Sequence, residues 1–287
     1  MSSPRPDAAP IGVFDSGVGG LTVFREINRA LPHESLIYLG DSARVPYGTK
    51  SPQTVVRYSL EAAHHLMQRG IKLLVVACNT ATAAALPALQ ETLPIPVIGV
   101  VEPGARAAIQ RTRGRVGVIA TEGTVKSHAY RKAIHALDPN VEVIESAAPL
   151  FVALAEEGWA NTHVAREVAE VYLAPLIDEG IDTLVLGCTH YPILRDVISE
   201  TVGREVKLID SGAATARDVE SLLESSDLTH EDAPGLYQER QLCDDLDHFY
   251  VTDAAERFAK VAERFLGSAP SILEAVEIWG HDELRTH

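Results

Sequence analysis

The sequence predicts an α/β protein built as two pseudo-symmetric α/β domains, with mostly parallel sheets and a ligand cleft between them. Three observations carry this expectation. Short apolar runs alternate with longer helical patterns, most of the runs are apolar at nearly every position, and several segments recur at an almost constant offset. Unbroken apolar strands suit a sheet covered by helices on both faces, which is the setting of parallel βαβ units.

In chain order, the expected strands are 11–14 (IGVF), 35–39 (SLIYL), 73–77 (LLVVA), 97–101 (VIGVV), 116–120 (VGVIA), 141–144 (VEVI), 183–186 (TLVL) and 206–209 (VKLI). All are too short for a helix of ordinary length and rich in β-branched residues. Helices are expected over 21–29, 51–68, 81–92, 105–111, 125–136, 162–177 and 193–201. Segment 11–20 (IGVFDSGVGG) echoes 116–125 (VGVIATEGTV) 105 residues later, and 73–91 echoes 183–200, placing Cys78 and Cys188 110 residues apart. A third echo links 103–108 (PGARAA) to 211–216 (SGAATA). Echoes in the same order at nearly the same offset imply two homologous halves.

The chain has 287 residues, enough for one large domain or two small ones with a proper core. Against 40 Asp+Glu it has 25 Lys+Arg, a formal charge of −15, and 46% of its residues are apolar. Without a Lys/Arg-rich run, that charge argues against a nucleic-acid partner. No segment approaches the ~18 apolar residues of a membrane span. Residues 1–10 have no apolar core of a leader and read as a short disordered tail. Three cysteines, Cys78, Cys188 and Cys243, form neither a disulfide framework nor a zinc pattern. They point to a reducing, cytoplasmic setting.

Ligands of open α/β sheets bind outside the carboxyl ends of the strands. Asp15-Ser16, Cys78-Asn79-Thr80 and Cys188-Thr189-His190 stand at such ends, each before a helix whose free N–H groups favour a carboxylate or a thiolate. The glycine-rich turn 15–20 fits neither a dinucleotide fingerprint nor a phosphate loop, and alone it is equally a helix cap. Two thiols at repeat-equivalent positions facing one cleft suit removal of a Cα proton from one side and its return from the other. Buried packing at two strand ends is the plainer alternative. Asp15 is placed to orient or deprotonate Cys78, and its counterpart in the second half is Ala120. His190 offers an imidazole beside Cys188, with Glu157 as its carboxylate partner unless Glu156-Glu157 is only a solvated helix end. A metal site built on Cys78, Cys188 and His190 lacks a fourth ligand.

Taken together, FDSGVGG (14–20), GDSARVPYGTKS (40–51), VACNTATA (76–83), ATEGTV (120–125), EEG (156–158), GCTHYPIL (187–194) and FYVTDAAERF (249–258) resemble the glutamate racemases, cofactor-independent enzymes that supply D-glutamate for peptidoglycan. The resemblance covers nearly the whole chain. It implies a first domain of residues 1–100 plus 211–287, a second of 101–210, and a homodimer. It implies no cofactor and no metal. Cys78 and Cys188 correspond to the two catalytic acid/bases, assisted by Asp15 and His190, with Glu157 behind His190. The implied substrate contacts are Asp15-Ser16, Pro46-Tyr47-Gly48, Asn79-Thr80, Thr121, Thr124 and Thr189-His190. The expected reaction is interconversion of L- and D-glutamate. An aspartate racemase, a Cys188-His190-Glu157 thiol hydrolase and a non-catalytic carboxylate-binding module are the competing readings. Segment 225–245 and Cys243 match nothing in the family's pattern.

Overall fold

A computed structural model describes residues 6–230 and 246–278. Two sheets organise them, and every strand pairing in both is parallel. The first sheet contains β1 (Ile11–Asp15), β2 (Leu36–Gly40), β3 (Leu73–Val76) and β4 (Val97–Gly99). Late in the chain it gains β9 (His248–Val251) and β10 (Leu273–Ala275), in the order β10-β9-β2-β1-β3-β4. The second holds β5 (Arg115–Ala120), β6 (Glu142–Ala147), β7 (Thr183–Gly187) and β8 (Lys207–Asp210), ordered β6-β5-β7-β8. The arrangement β2-β1-β3-β4 thus recurs as β6-β5-β7-β8, the structural counterpart of the sequence echoes. In each sheet the winding reverses between the first and third strands, so a crevice opens at the carboxyl ends of β1/β3 and of β5/β7.

The central strands β1, β3 and β7 are buried at every position, as their unbroken apolar runs require. Around the sheets lie α1 (Leu21–Ala30), α2 (Pro52–Met67), α3 (Asn79–Thr92), α4 (Val101–Ile109), α5 (Glu122–Ser127), α6 (Ala129–Leu137), α7 (Leu150–Glu156), α8 (His163–Asp178), α9 (Arg195–Val202), α10 (Ser211–Ser225) and α11 (Ala255–Leu266). The late segment returns to the first sheet. β9 pairs with β2, Phe249 stacks on Phe24 with ring centroids 5.0 Å apart, and Phe258 of α11 lies 6.1 Å from Tyr38. Burying aromatic rings of this size contributes roughly 1.5–3 kcal/mol each, enough to anchor a distant chain segment.

Several expected boundaries move. The strand 97–101 ends at Gly99, and α4 begins at Val101 rather than Ala105, because Pro103 falls in its first turn, where a missing N–H costs nothing. The helix 125–136 is two helices, since His128 adopts a left-handed conformation (φ 53°) and the Ser127 hydroxyl accepts from the Ala129 N–H. Helix α7 was not anticipated. Of the tail expected to be disordered, residues 6–10 are held in place: Lys72, paired with Glu34 at 2.5 Å, donates from Nζ to the Asp7 carbonyl and from its backbone to that of Pro10. Cys243, with most of segment 225–245, lies outside the described residues.

Candidate active site

Asp15 is the last residue of β1 and Cys78 follows β3 by two, so both stand at the first sheet's switch point. Thr121 follows β5 directly and Cys188 follows β7 directly, at the equivalent point of the second. The two crevices face one another across a cavity of about 80 Å³. Cys78 and Cys188 both line it, each buried to 6% exposure. The expected contacts Ser16, Pro46, Tyr47, Gly48, Asn79, Thr80, Thr121, Thr189 and His190 line it as well.

Close approach of the two units depends on small residues. A Cβ at Gly48 would meet Thr121 Cβ at 2.8 Å, and one at Gly19 would collide with Thr189 and His190. Polar contacts seal the same seam. Thr80 Oγ1 lies 2.9 Å from Thr121 Oγ1 and 3.3 Å from Thr124 Oγ1, and the Thr22 hydroxyl donates to the Thr189 carbonyl at 2.8 Å. Thr124, expected as a substrate contact, stands behind the wall instead, against Thr80 and Thr121. Tyr47 also turns its polar end away: its hydroxyl donates to the buried Asp41 carboxylate at 2.5 Å.

On the first wall, Cys78 caps α3, its sulfur accepting from the Ala81 N–H at 3.4 Å, and lies 3.5 Å from Ser16 Oγ. Burial and the neighbouring Asp15 push the thiol up to about 12, outweighing the Ser16 and Ala81 hydrogen bonds. A helix N-terminus was expected to lower it; here desolvation prevails. Asp15 lies behind the wall, 1% exposed, with Oδ2 accepting from the Gly17 N–H at 2.9 Å. Burial raises its carboxyl above the usual range, against the pull of His190 and the backbone N–H groups of Gly17, Gly20 and Ser16.

The second wall carries an imidazole. His190 Nδ1 lies 3.8 Å from Cys188 Sγ and Nε2 lies 3.0 Å from Glu156 Oε1. Burial opposes charge on the ring, but Cys188 and Glu156 overcome it and push His190 up to about 10. The hydrogen bond from His190 holds Glu156 below the usual carboxylate range. The partner is thus Glu156, not Glu157. One residue of α-helix turns the side chain by about 100°, and Glu157, beyond the last turn of α7, is 62% exposed and nearest to Arg257. Phe265 meets the His190 ring edge-on at 5.5 Å. Sequence reasoning also missed two apolar lining residues, Val45, which sits inside the 40–51 motif without being singled out, and Val152, which no motif marks.

Among the described residues no group of three or more His, Cys, Asp or Glu side chains is placed to hold a metal ion, and no helix is long and apolar enough to cross a membrane.

Fold and site together define a class: twin parallel α/β units meeting at a small cavity with one thiol on each wall. Residues 11–219 match the family model described as Asp/Glu/Hydantoin racemase. A glutamate racemase from Geobacter metallireducens is 59% identical over 258 residues, covering 90% of this chain and 92% of its own length. Among solved structures, a glutamate racemase isoform from Bacillus anthracis superposes with a TM-score of 0.85 at 42% identity, covering 94% of this chain and 98% of its own. A glutamate racemase from Francisella tularensis, determined in complex with D-glutamate, gives 0.85 at 39% identity, covering 95% and 98%. The chain belongs to the Asp/Glu/hydantoin racemase family, among its glutamate racemases, and is an amino-acid racemase.

Proposed function

We propose that this protein interconverts L- and D-glutamate by two-base proton transfer at Cα, with Cys78 working on one face of the substrate and Cys188 on the other. The observation that carries the reading is the placement of both sulfurs on one shared cavity, at equivalent switch points of two like units. In each turnover one sulfur, as thiolate, takes the Cα proton. The other, as thiol, gives its proton to the opposite face, and the two end with their protonation states exchanged. The planar intermediate places charge on the α-carboxylate, where N–H and O–H donors near the start of α3 and at Ser16 and Thr189 stabilise it. Val45 and Val152 give the cavity its apolar side-chain lining beside the reacting carbon. His190, held charged by Glu156, supports negative charge on Cys188, while Asp15 governs the Cys78 side. Glutamate as substrate is supported by the D-glutamate bound in the Francisella relative.

The boundaries near residues 100 and 210, a homodimeric assembly, a cytoplasmic location and delivery of D-glutamate to peptidoglycan belong to the same proposal. The test is incubation with L-glutamate in deuterated water, following optical rotation and Cα exchange together. Loss of rotation with deuterium in the product is expected. Exchange with full retention of configuration, or binding with neither change, would overturn the two-base reading.

A further inference from the structure

Tyr130 belongs to none of the motifs picked out in the sequence, yet it reaches the cavity wall from the opposite unit. It lies on α6, fully buried, and its ring is held by backbone on two sides. A Cβ added at Gly104 would lie 3.1 Å from the ring and one at Gly187 3.0 Å. The hydroxyl donates to Asn79 Oδ1 at 2.7 Å. Ser211, at the start of α10, packs beside the same ring against Gly104. Asn79 adjoins Cys78, opens α3, lines the cavity and is 2% exposed. Its Nδ2 has no hydrogen-bond partner among the described residues.

A side-chain amide has two nearly equivalent orientations about its last torsion, and only its surroundings choose between them. One offers N–H donors to a ligand; the other offers oxygen lone pairs. For a carboxylate in a dry site the first attracts and the second repels. A buried amide nitrogen left unpaired by the protein is costly, and that cost is recovered when an anion accepts from it. We infer that Tyr130 is a positioning residue that fixes the Asn79 amide with its nitrogen free to donate to the substrate carboxylate. Tyr130 itself touches no reacting atom. It reaches Asn79 across the seam, so the donor is set only when the two units are closed on each other. The inference rests on the glutamate reading above and adds to it a residue that selects for a carboxylate at this wall.

The experiment is a double-mutant cycle in kcat/KM for L-glutamate, with wild-type racemisation as the control that separates failure of the glutamate reading from failure of this one. Tyr130→Phe, which removes only the hydroxyl, is expected to lower kcat/KM about tenfold, the scale of one lost hydrogen bond to a charged ligand. In an Asn79→Ser background the same change is expected to cost nothing further. Equal cost in both backgrounds, or no cost in the wild type, overturns the inference. Asn79→Asp keeps an acceptor for Tyr130 and replaces only the nitrogen, which makes the idea testable even if the tyrosine variant folds poorly. It should abolish measurable glutamate turnover, and wild-type turnover in that variant would equally overturn the role.

Discussion

After β3, Cys78 stands among hydroxyls and a buried carboxyl; after β7, Cys188 stands beside an imidazole backed by Glu156. The strand order around them is the same. Two residues past Cys78 comes Thr80, which joins the threonine cluster of the seam, whereas two residues past Cys188 comes His190. Asp15 ends β1, whereas Ala120 ends β5. The repeated topology sets where the two sulfurs stand, and the residues just beyond each strand set what each sulfur stands beside. One wall keeps a thiol pushed up to about 12, and the other keeps a cation that persists to about 10. The two sulfurs thus share a topology but not an environment.

The comparison breaks most completely if either sulfur is dispensable. Cys78→Ser and Cys188→Ser are each expected to lower racemisation by about three orders of magnitude or more, as for loss of a positioned acid or base. Near-wild-type turnover in either variant removes the two-base reading. Since L- and D-glutamate are equal in free energy, kcat/KM must fall equally in both directions, and unequal loss would expose an assay artefact. Next in size is His190→Asn, which leaves both sulfurs but strips the second wall of its cation. A loss of about a hundredfold is expected in kcat, and an unchanged kcat would make the His190–Cys188 contact incidental.

Glu156 and Glu157 sharpen the same asymmetry. His190 is raised above its ordinary 6.5, so its interactions are complete below that value and are lost as pH rises through about 10. Glu156 is lowered from 4.5, so its contribution is present above that value and is lost only as pH falls further, through its folded-state value. Removing the Glu156 charge withdraws one of the two supports of His190. In Glu156→Gln the alkaline limb of kcat/KM is expected to move to lower pH, with about a tenfold loss at its new shoulder. Glu157→Gln should leave the profile in place. The substrate's own titration is common to both variants, so the difference between them is the measurement. Identical profiles would show that neither carboxylate tunes the imidazole.

This pair also shows where the sequence stops being legible. The switch-point residues were readable because unbroken apolar runs mark strands buried on both faces, and the first polar residues after such strands must lie at sheet ends. Cys78, Cys188, Asp15, His190, Thr80 and Thr189 follow from that rule, whereas Thr121 and Thr124 are implied only by the family resemblance. Choosing between Glu156 and Glu157 requires the phase of α7, a seven-residue helix too short to declare a period. Tyr130 was invisible for a different reason: on its own helix it reads as a core aromatic, and only the docking of two units turns its hydroxyl toward Asn79. The tail beyond residue 5 was misjudged because Lys72, which holds it, sits 65 residues from Asp7.

The smallest expected effect concerns the seam. Gly48 lies in the short 3-10 turn Tyr47–Thr49, where its φ is negative, so alanine meets no backbone penalty there. The obstacle is across the cavity, where the new methyl would come within 2.8 Å of Thr121 Cβ on the other unit. Overpacking of this kind costs about 1–3 kcal/mol when it cannot relax, but two units meeting across a crevice relax by parting slightly. Gly48→Ala should therefore raise KM for glutamate several-fold, about 1 kcal/mol by the usual conversion, while the melting temperature stays near that of the wild type. If instead stability falls and KM holds, the contact at residue 48 belongs to the folded core, and closure of the two walls is not what brings the sulfurs to the substrate.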